Sequence, residues 1–336
     1  MPVAVSSNPP FPEEAIPEVG LPIAYRLTDL GELPDGAPLL PVSINVQGVV
    51  AVYGVEAAGK TRGFLWKDGA MTPAGVAIGQ SPVRALNDAG HLAGIGRLSY
   101  GPARAWSSHL GLFGADLFPE SESNAVDLNT SGAVIGHARE VADGVARWVA
   151  YRFNYDRGLH RFDPPGAVEA VAINDRGLVL LNLGLPGAAG GGTEACLWKD
   201  GHYSPLQSGG GATRGAALTP AGRVVGQLLT ADGQAHAALW EGGRLYDLNP
   251  GPGVVSHALA ANDNCMVVGR CMGPRREWLA FRWTPQEGMR ALGQYLDVGS
   301  EWTLQQAVSV NAAGQIAGIG LREGATRGFV LTPIAG

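Results

Sequence analysis

A hairpin turn built on Asn and Gly recurs seven times along this chain, and that recurrence limits the fold more than any other feature. Its copies read SINVQG (43–48), ALNDAG (85–90), DLNTSG (127–132), AINDRG (172–177), ALTPAG (217–222), AANDNC (260–265) and SVNAAG (309–314). The Asn position falls at 45, 87, 129, 174, 219 (a Thr), 262 and 311, which gives steps of 42, 42, 45, 45, 43 and 49 residues. A period of that length marks a structural repeat in which each unit is one supersecondary element.

The residues around the turn identify the element. Small and β-branched runs flank each copy, as in HLAGIG, AVIGHA, RVVGQL and QIAGIG. Two such runs joined by Asn-Asp-x-Gly make a hairpin, with Gly supplying the positive φ of a turn plus bulge. A third run follows (RGFLW at 62–66, HAALW at 236–240, LAFRW at 279–283), then a short turn such as KDG or EGG and a fourth run such as RLYDL at 244–248. Four antiparallel strands per unit is the blade of a propeller, not the helix pair of an α-solenoid. The expected fold is therefore all-β: a seven-bladed β-propeller of four-stranded antiparallel blades over residues 24–336, preceded by an N-terminal extension, 1–23. The chain stops after the third strand of the seventh unit, while an unpaired fourth-strand sequence, AYRLTDLG (24–31), precedes the first. The N-terminal strand is predicted to complete the last blade, which closes the ring and hides its edges.

The Ala-x-x-Ile-Asn-x-x-Gly turn and the following Ala-Phe-Leu-Trp type of strand resemble the HAF-repeat family of bacterial proteins, over nearly all of the chain after residue 24. Members of that family are often exported, and the resemblance carries no catalytic residues across. The start of this chain, MPVAVSSNPPFPEEAIPEVG, has neither a basic n-region nor an apolar h-region. On that reading the chain as given is cytoplasmic; secretion would require a leader already removed.

Composition narrows the partners. A formal charge of −6 argues against a nucleic-acid backbone, which wants a basic face. No run of 18 apolar residues is present, so no membrane span is expected. The three Cys read as small core residues: Cys265 and Cys271 fall on one strand, about 20 Å apart at ~3.3 Å per residue. A monomer is expected, with a small polar molecule or a protein as its partner.

No HExxH, CxxC, GxSxG, Walker or EF-hand motif is present. Asp88, Asp175 and Asp263 recur in the turns without a local carboxylate, so they read as turn formers and not as calcium ligands. Trp66, Trp198, Trp240 and Trp283 end third strands and read as inter-blade core, since Phe153 and Leu331 fill the same place. Function is expected where the copies disagree. Five residues before the turn Asn the blades carry Leu40, Pro82, Asn124, Glu169, Arg214, His257 and Gln306, beside neighbours that are small or apolar. Arg84 and Asp127 are further exceptions in the same strand, at places otherwise held by Val, Ala or Leu and by Ser or Ala.

In a propeller the first strand lines the channel. Arg84, Asn124, Asp127, Glu169, Arg214, His257 and Gln306 are accordingly predicted to converge at the channel mouth and bind a polar ligand. Trp302, in the long connection 293–305, is the predicted stacking contact. Side chains pointing between blades would count against that site. A second class of function, a lyase, isomerase or hydrolase, would use His257 as base with Glu169 and Asp127 as orienting carboxylates. No cofactor is predicted, and only that enzyme reading would call on a divalent metal. The rim, from Arg62, Arg104, Arg147, Glu194, His236, Glu277 and Arg327, is expected to be solvated or to meet a partner protein.

Overall fold

Each Asn-Gly turn joins the two innermost strands of a blade, and seven blades close into a ring in the computed structural model. It describes residues 24–334 except 58, 75–81, 98–100, 119–120, 143–144, 165–166, 186–191, 252 and 298; the extension 1–23 lies outside the described residues. Blade 1 shows the plan, with antiparallel strands Leu40–Ile44, Val50–Val55, Thr61–Lys67 and Ala70–Pro73 in that order from the axis outward. Blade 7 is composite. Its inner three strands are Trp302–Val310, Ile316–Arg322 and Ala325–Ile334, and Ala24–Asp29 pairs against the last of these from Ala24 opposite Ile334 to Asp29 opposite Phe329.

The core lies in the clefts between blades. The predicted tryptophans fill it: Trp66, Trp198, Trp240 and Trp283 are 2–8% exposed. All three cysteines are free. Blade 2 departs from the plan among the described residues. It has three strands, Val83–Leu86, Leu92–Gly96 and Arg104–Ser107, and a one-turn helix, Gly114–Leu117, packs beyond the third. Blade 3 carries an extended hairpin, Val134–Ala142 with Val145–Asn154, whose outer part leaves Val141, Val145 and Trp148 exposed by 51–67%.

Two devices repeat around the ring. The first is a β-bulge three residues before the turn Asn, at Val42, Arg84, Val126, Val171, Ala216, Leu259 and Val308. A bulge bends the inner strand and increases its twist. It also brings the carbonyl of the variable residue close to the second strand: a methyl group on Gly136 or Gly269 would lie 1.9 or 2.0 Å from the carbonyl oxygen of Asn124 or His257. Glycine is required there for the approach.

The second device is a circle of side-chain amides. Asn45 donates to the carbonyl of Asn87, Asn87 to Asn129, Asn129 to Asn174, Asn174 to Thr219, Asn262 to Asn311 and Asn311 to Asn45, at 2.9–3.4 Å. Each Asn Oδ1 meanwhile accepts the N–H four residues on, inside its own turn. One residue type thus shapes the hairpin and ties it to the next blade, and all six are buried. Thr219 holds its turn through Oγ1 but has no amide to pass on, so the circle has one gap. The turn Asp residues have an inter-blade role as well. Asp88, Asp175 and Asp263 each accept an N–H from the preceding blade, at Val46, Thr130 and Ala221.

Candidate functional site at the channel mouth

The Asn circle marks one face of the ring, so the first strands begin at the opposite face, and there the variable layer lies. Each variable residue stands opposite a residue of the second strand. Asn124 faces His137, Glu169 faces Asn182, Arg214 faces Gln227, and His257 faces Arg270. Gln306 faces Ile319. In blade 1 Leu40 faces Tyr53, and in blade 2 Ile95 donates its N–H to the Pro82 carbonyl. The mouth is therefore lopsided, polar across blades 3 to 7 and mainly apolar across blades 1 and 2.

These side chains are tied to neighbours, some within their own blade, as Asn124 to His137 and His257 to Arg270, and some across the cleft to the next, as Arg214 to Glu169 and Arg270 to Gln306. At blades 3 and 4 the groups are largely engaged. Asn124 Oδ1 accepts from the His137 backbone N–H at 3.2 Å and lies 3.3 Å from its Nδ1, and His137 Nε2 accepts the Ala170 N–H at 3.0 Å. That bond places the ring proton on Nδ1. Burial lowers the His137 pKa, in keeping with a neutral strut. At blades 4 and 5 Arg214 Nη2 bridges both Glu169 oxygens at 2.6 and 2.8 Å. Asn182 holds Glu169 at 3.1 Å while exchanging two bonds with the Gly215 backbone. The Glu169–Arg214 pair stays open to solvent, with side chains 42% and 46% exposed. Pairs so exposed contribute roughly 0–1 kcal/mol.

The cleft between blades 6 and 7 is built differently. The Arg270 guanidinium carbon lies over the Trp278 ring, 4.3 Å from its centroid. Its Nε and Nη2 stand 3.4 and 3.3 Å from His257 Nδ1, and Nη1 stands 3.5 Å from Gln306 Oε1. The His257 ring is itself 5.2 Å from that of Trp278. Burial and the neighbouring Arg270 charge lower the His257 pKa. All four residues are half-buried.

The remaining candidates lie elsewhere. Asp127 belongs to the inner wall toward the Asn face. Its Oδ2 accepts the Ile173 N–H of blade 4 at 2.8 Å and its Oδ1 the Leu128 N–H at 2.9 Å. Burial outweighs those bonds and pushes its carboxyl up to about 7. Ser309 makes the equivalent bridge to Ile44 of blade 1, at 3.1 Å. Arg84 is the exposed bulge residue of blade 2. Trp302 is half-buried, its ring edge-on to Phe329 at 6.1 Å against the core of blade 7.

No hydrogen bond or ion pair among the described residues joins His257, Glu169 and Asp127. Nor do the described residues contain a group of three or more His, Cys, Asp or Glu placed to hold a metal. On the rim Arg62, His236 and Arg327 pair with Glu56, Asp247 and Glu32 at 2.6, 2.8 and 2.7 Å. No described helix is long and apolar enough to cross a membrane.

The aligned repeats single out the first-strand half of this layer; its second-strand half lies outside that alignment. His137, Asn182, Gln227 and Arg270 carry a legible signal: each breaks the small and apolar run after the turn, as in VIGH, LLN, VVGQ and VVGR. Recognising them as cross-strand partners requires the register, which the bulge shifts by one.

No family model matches this chain, and no curated protein matches it in sequence. Solved structures do. The β-propeller domain of the Trilobed protease from Pyrococcus furiosus superposes with a TM-score of 0.58 at 9% identity, over 88% of this chain and 93% of that domain. The acylaminoacyl peptidase of Pyrococcus horikoshii matches at 0.58 and 10% identity over 84% of this chain, and a puromycin hydrolase at 0.58 and 13% over 84%. This chain spans about half the length of the peptidase and of the hydrolase, 49% and 50%. At such identities the likeness is one of fold. The Trilobed domain is described as having an open velcro topology, whereas pairing of Ala24–Asp29 with Ala325–Ile334 closes the present ring. The chain is a seven-bladed β-propeller.

Proposed function

We propose that this propeller binds a small polar molecule at its channel mouth, on the side formed by blades 4 to 7. The observation behind the reading is the lopsided polar layer. A merely solvated mouth has no need of polar pairs concentrated in consecutive blades, several still open, opposite an apolar wall. A concave site with a few convergent polar groups on an apolar surround is the usual form of a small-molecule site. The seven turn repeats support placing the chain with the HAF-repeat proteins.

A thermal-shift screen of polar metabolites, repeated on Glu169→Ala and His257→Ala, tests the reading. A ligand should stabilise the wild-type chain, and at least one variant should lose that stabilisation. If neither variant changes any stabilisation found, the mouth is not the site.

A second reading rests on blade 3. Its hairpin exposes Trp148 and Val141 with Arg139 beside them on one face, and Val145 with Arg147 on the other. Aromatic, aliphatic and Arg side chains in one projecting patch are typical of protein interfaces, and this patch supports a protein partner on the rim.

A further inference from the structure

We infer that the cleft between blades 6 and 7 is an oxyanion site, holding the carboxylate or phosphate group of a small ligand between Arg270, His257 and Gln306. This rests on the reading of the mouth as a ligand site and names what the ligand presents there. Hydrogen-bond bookkeeping carries it. Arg270 donates toward His257 Nδ1 and Gln306 Oε1, the acceptor atoms of those two side chains. A neutral imidazole that accepts at Nδ1 carries its proton on Nε2. The groups left over are therefore mostly donors: the remaining Arg270 N–H bonds, His257 Nε2–H and the Gln306 amide N–H bonds, beside one lone pair of Gln306 Oε1.

The cluster is also positively charged. Arg270 has no carboxylate partner among the described residues, in contrast to Arg214, whose charge Glu169 offsets. A cation whose neighbours have donors to spare attracts an anion more than a second cation. The three bonds that Arg270 makes are long, 3.3–3.5 Å. An oxyanion bound by the guanidinium fork at 2.7–2.9 Å would be much the better acceptor. Trp278 packs against the guanidinium at 4.3 Å, which limits the freedom that Arg270 has to lose on binding.

Trp278 is also the reporter. The fluorescence of the full chain is titrated with sodium phosphate, sodium acetate and, as a neutral probe, glycerol, at constant ionic strength. The difference between wild type and Trp278→Phe isolates the signal of this ring. Phosphate or acetate should change that difference saturably. Arg270→Gln should weaken the response at least tenfold and His257→Ala several-fold. Arg270→Lys, which keeps the charge without the fork, should bind more weakly than wild type yet better than Arg270→Gln. It also guards against reading a folding defect as lost binding.

An equal response in Arg270→Gln, or no saturable response to either anion, overturns the inference. A saturable response to glycerol alone overturns it too, while leaving a polar-ligand mouth intact. Silence of all three probes here together with silence of the metabolite screen removes both.

Discussion

At the scale of single residues, Asp127 shows how position in a propeller resets a side chain's chemistry. It replaces the Ser or Ala of other blades and bridges blades 3 and 4 through the Ile173 N–H. Its carboxyl titrates at about 7 because burial opposes its charge more than two backbone N–H bonds favour it. An unfolded Asp titrates near ~3.9, so the native state binds this proton more tightly than the unfolded chain does. The stability contributed by that proton is complete below pH ~4 and is lost as pH rises through about 7. Asp127→Asn keeps an acceptor for the Ile173 N–H and removes the titration. Its melting temperature, relative to wild type, should rise steadily between pH ~4 and ~7. A difference that is flat over that range would show that Asp127 titrates normally.

At the scale of the hairpin, each turn Asn serves two purposes, and Thr219 serves one. A Thr hydroxyl closes its own turn by accepting from Arg223, but only an amide has a second polar atom to send to the next blade. Thr219→Asn should supply the missing donor to the Asn262 carbonyl and stabilise the chain by about 1 kcal/mol in urea unfolding. No gain, or a loss, would mean that the blade 5–6 cleft is too wide for the bond. The Asn-Gly turn was legible in the sequence because its chemistry is local and it recurs. The amide circle was not, since nothing in one repeat says which atom of the next it meets. The bulge was hidden for another reason. Inserting one residue among Val, Ala and Leu leaves an apolar run looking unbroken, yet it shifts every partner beyond it. For that reason the mouth layer was seen as one ring of residues when it is two.

At the scale of the whole molecule, closure is the feature that sequence and structure share most fully. AYRLTDLG was expected to complete blade 7, and Ala24–Asp29 does so. The latch includes a buried cluster that no repeat announces. Arg282 of blade 6, fully buried, pairs with Glu287, reaches Tyr25 of the closing strand at 3.4 Å and lies under the Tyr295 ring at 4.4 Å. Tyr295 belongs to this cluster through its bond to Glu287 at 2.9 Å. Deleting the chain through Asp29 would strip Arg282 of Tyr25 and bare the edge of Ala325–Ile334. An unpaired edge of that length is a template for association. Sedimentation velocity should then show concentration-dependent oligomers in the truncated chain that the full chain lacks. A truncated chain that sediments as the full one does would mean that the strand is dispensable for closure.

The same ring presents an apolar wall at blades 1 and 2, open polar groups at blades 4 to 7, and an aromatic hairpin at blade 3. A crystal structure of the full chain with a stabilising ligand from the metabolite screen tests most directly which of these is used. The ligand is predicted to lie at the mouth, in contact with Arg270 and His257 over Trp278. Ligand bound instead against Trp148 and the blade 3 hairpin, with the cleft between blades 6 and 7 empty, would contradict a mouth-binding propeller.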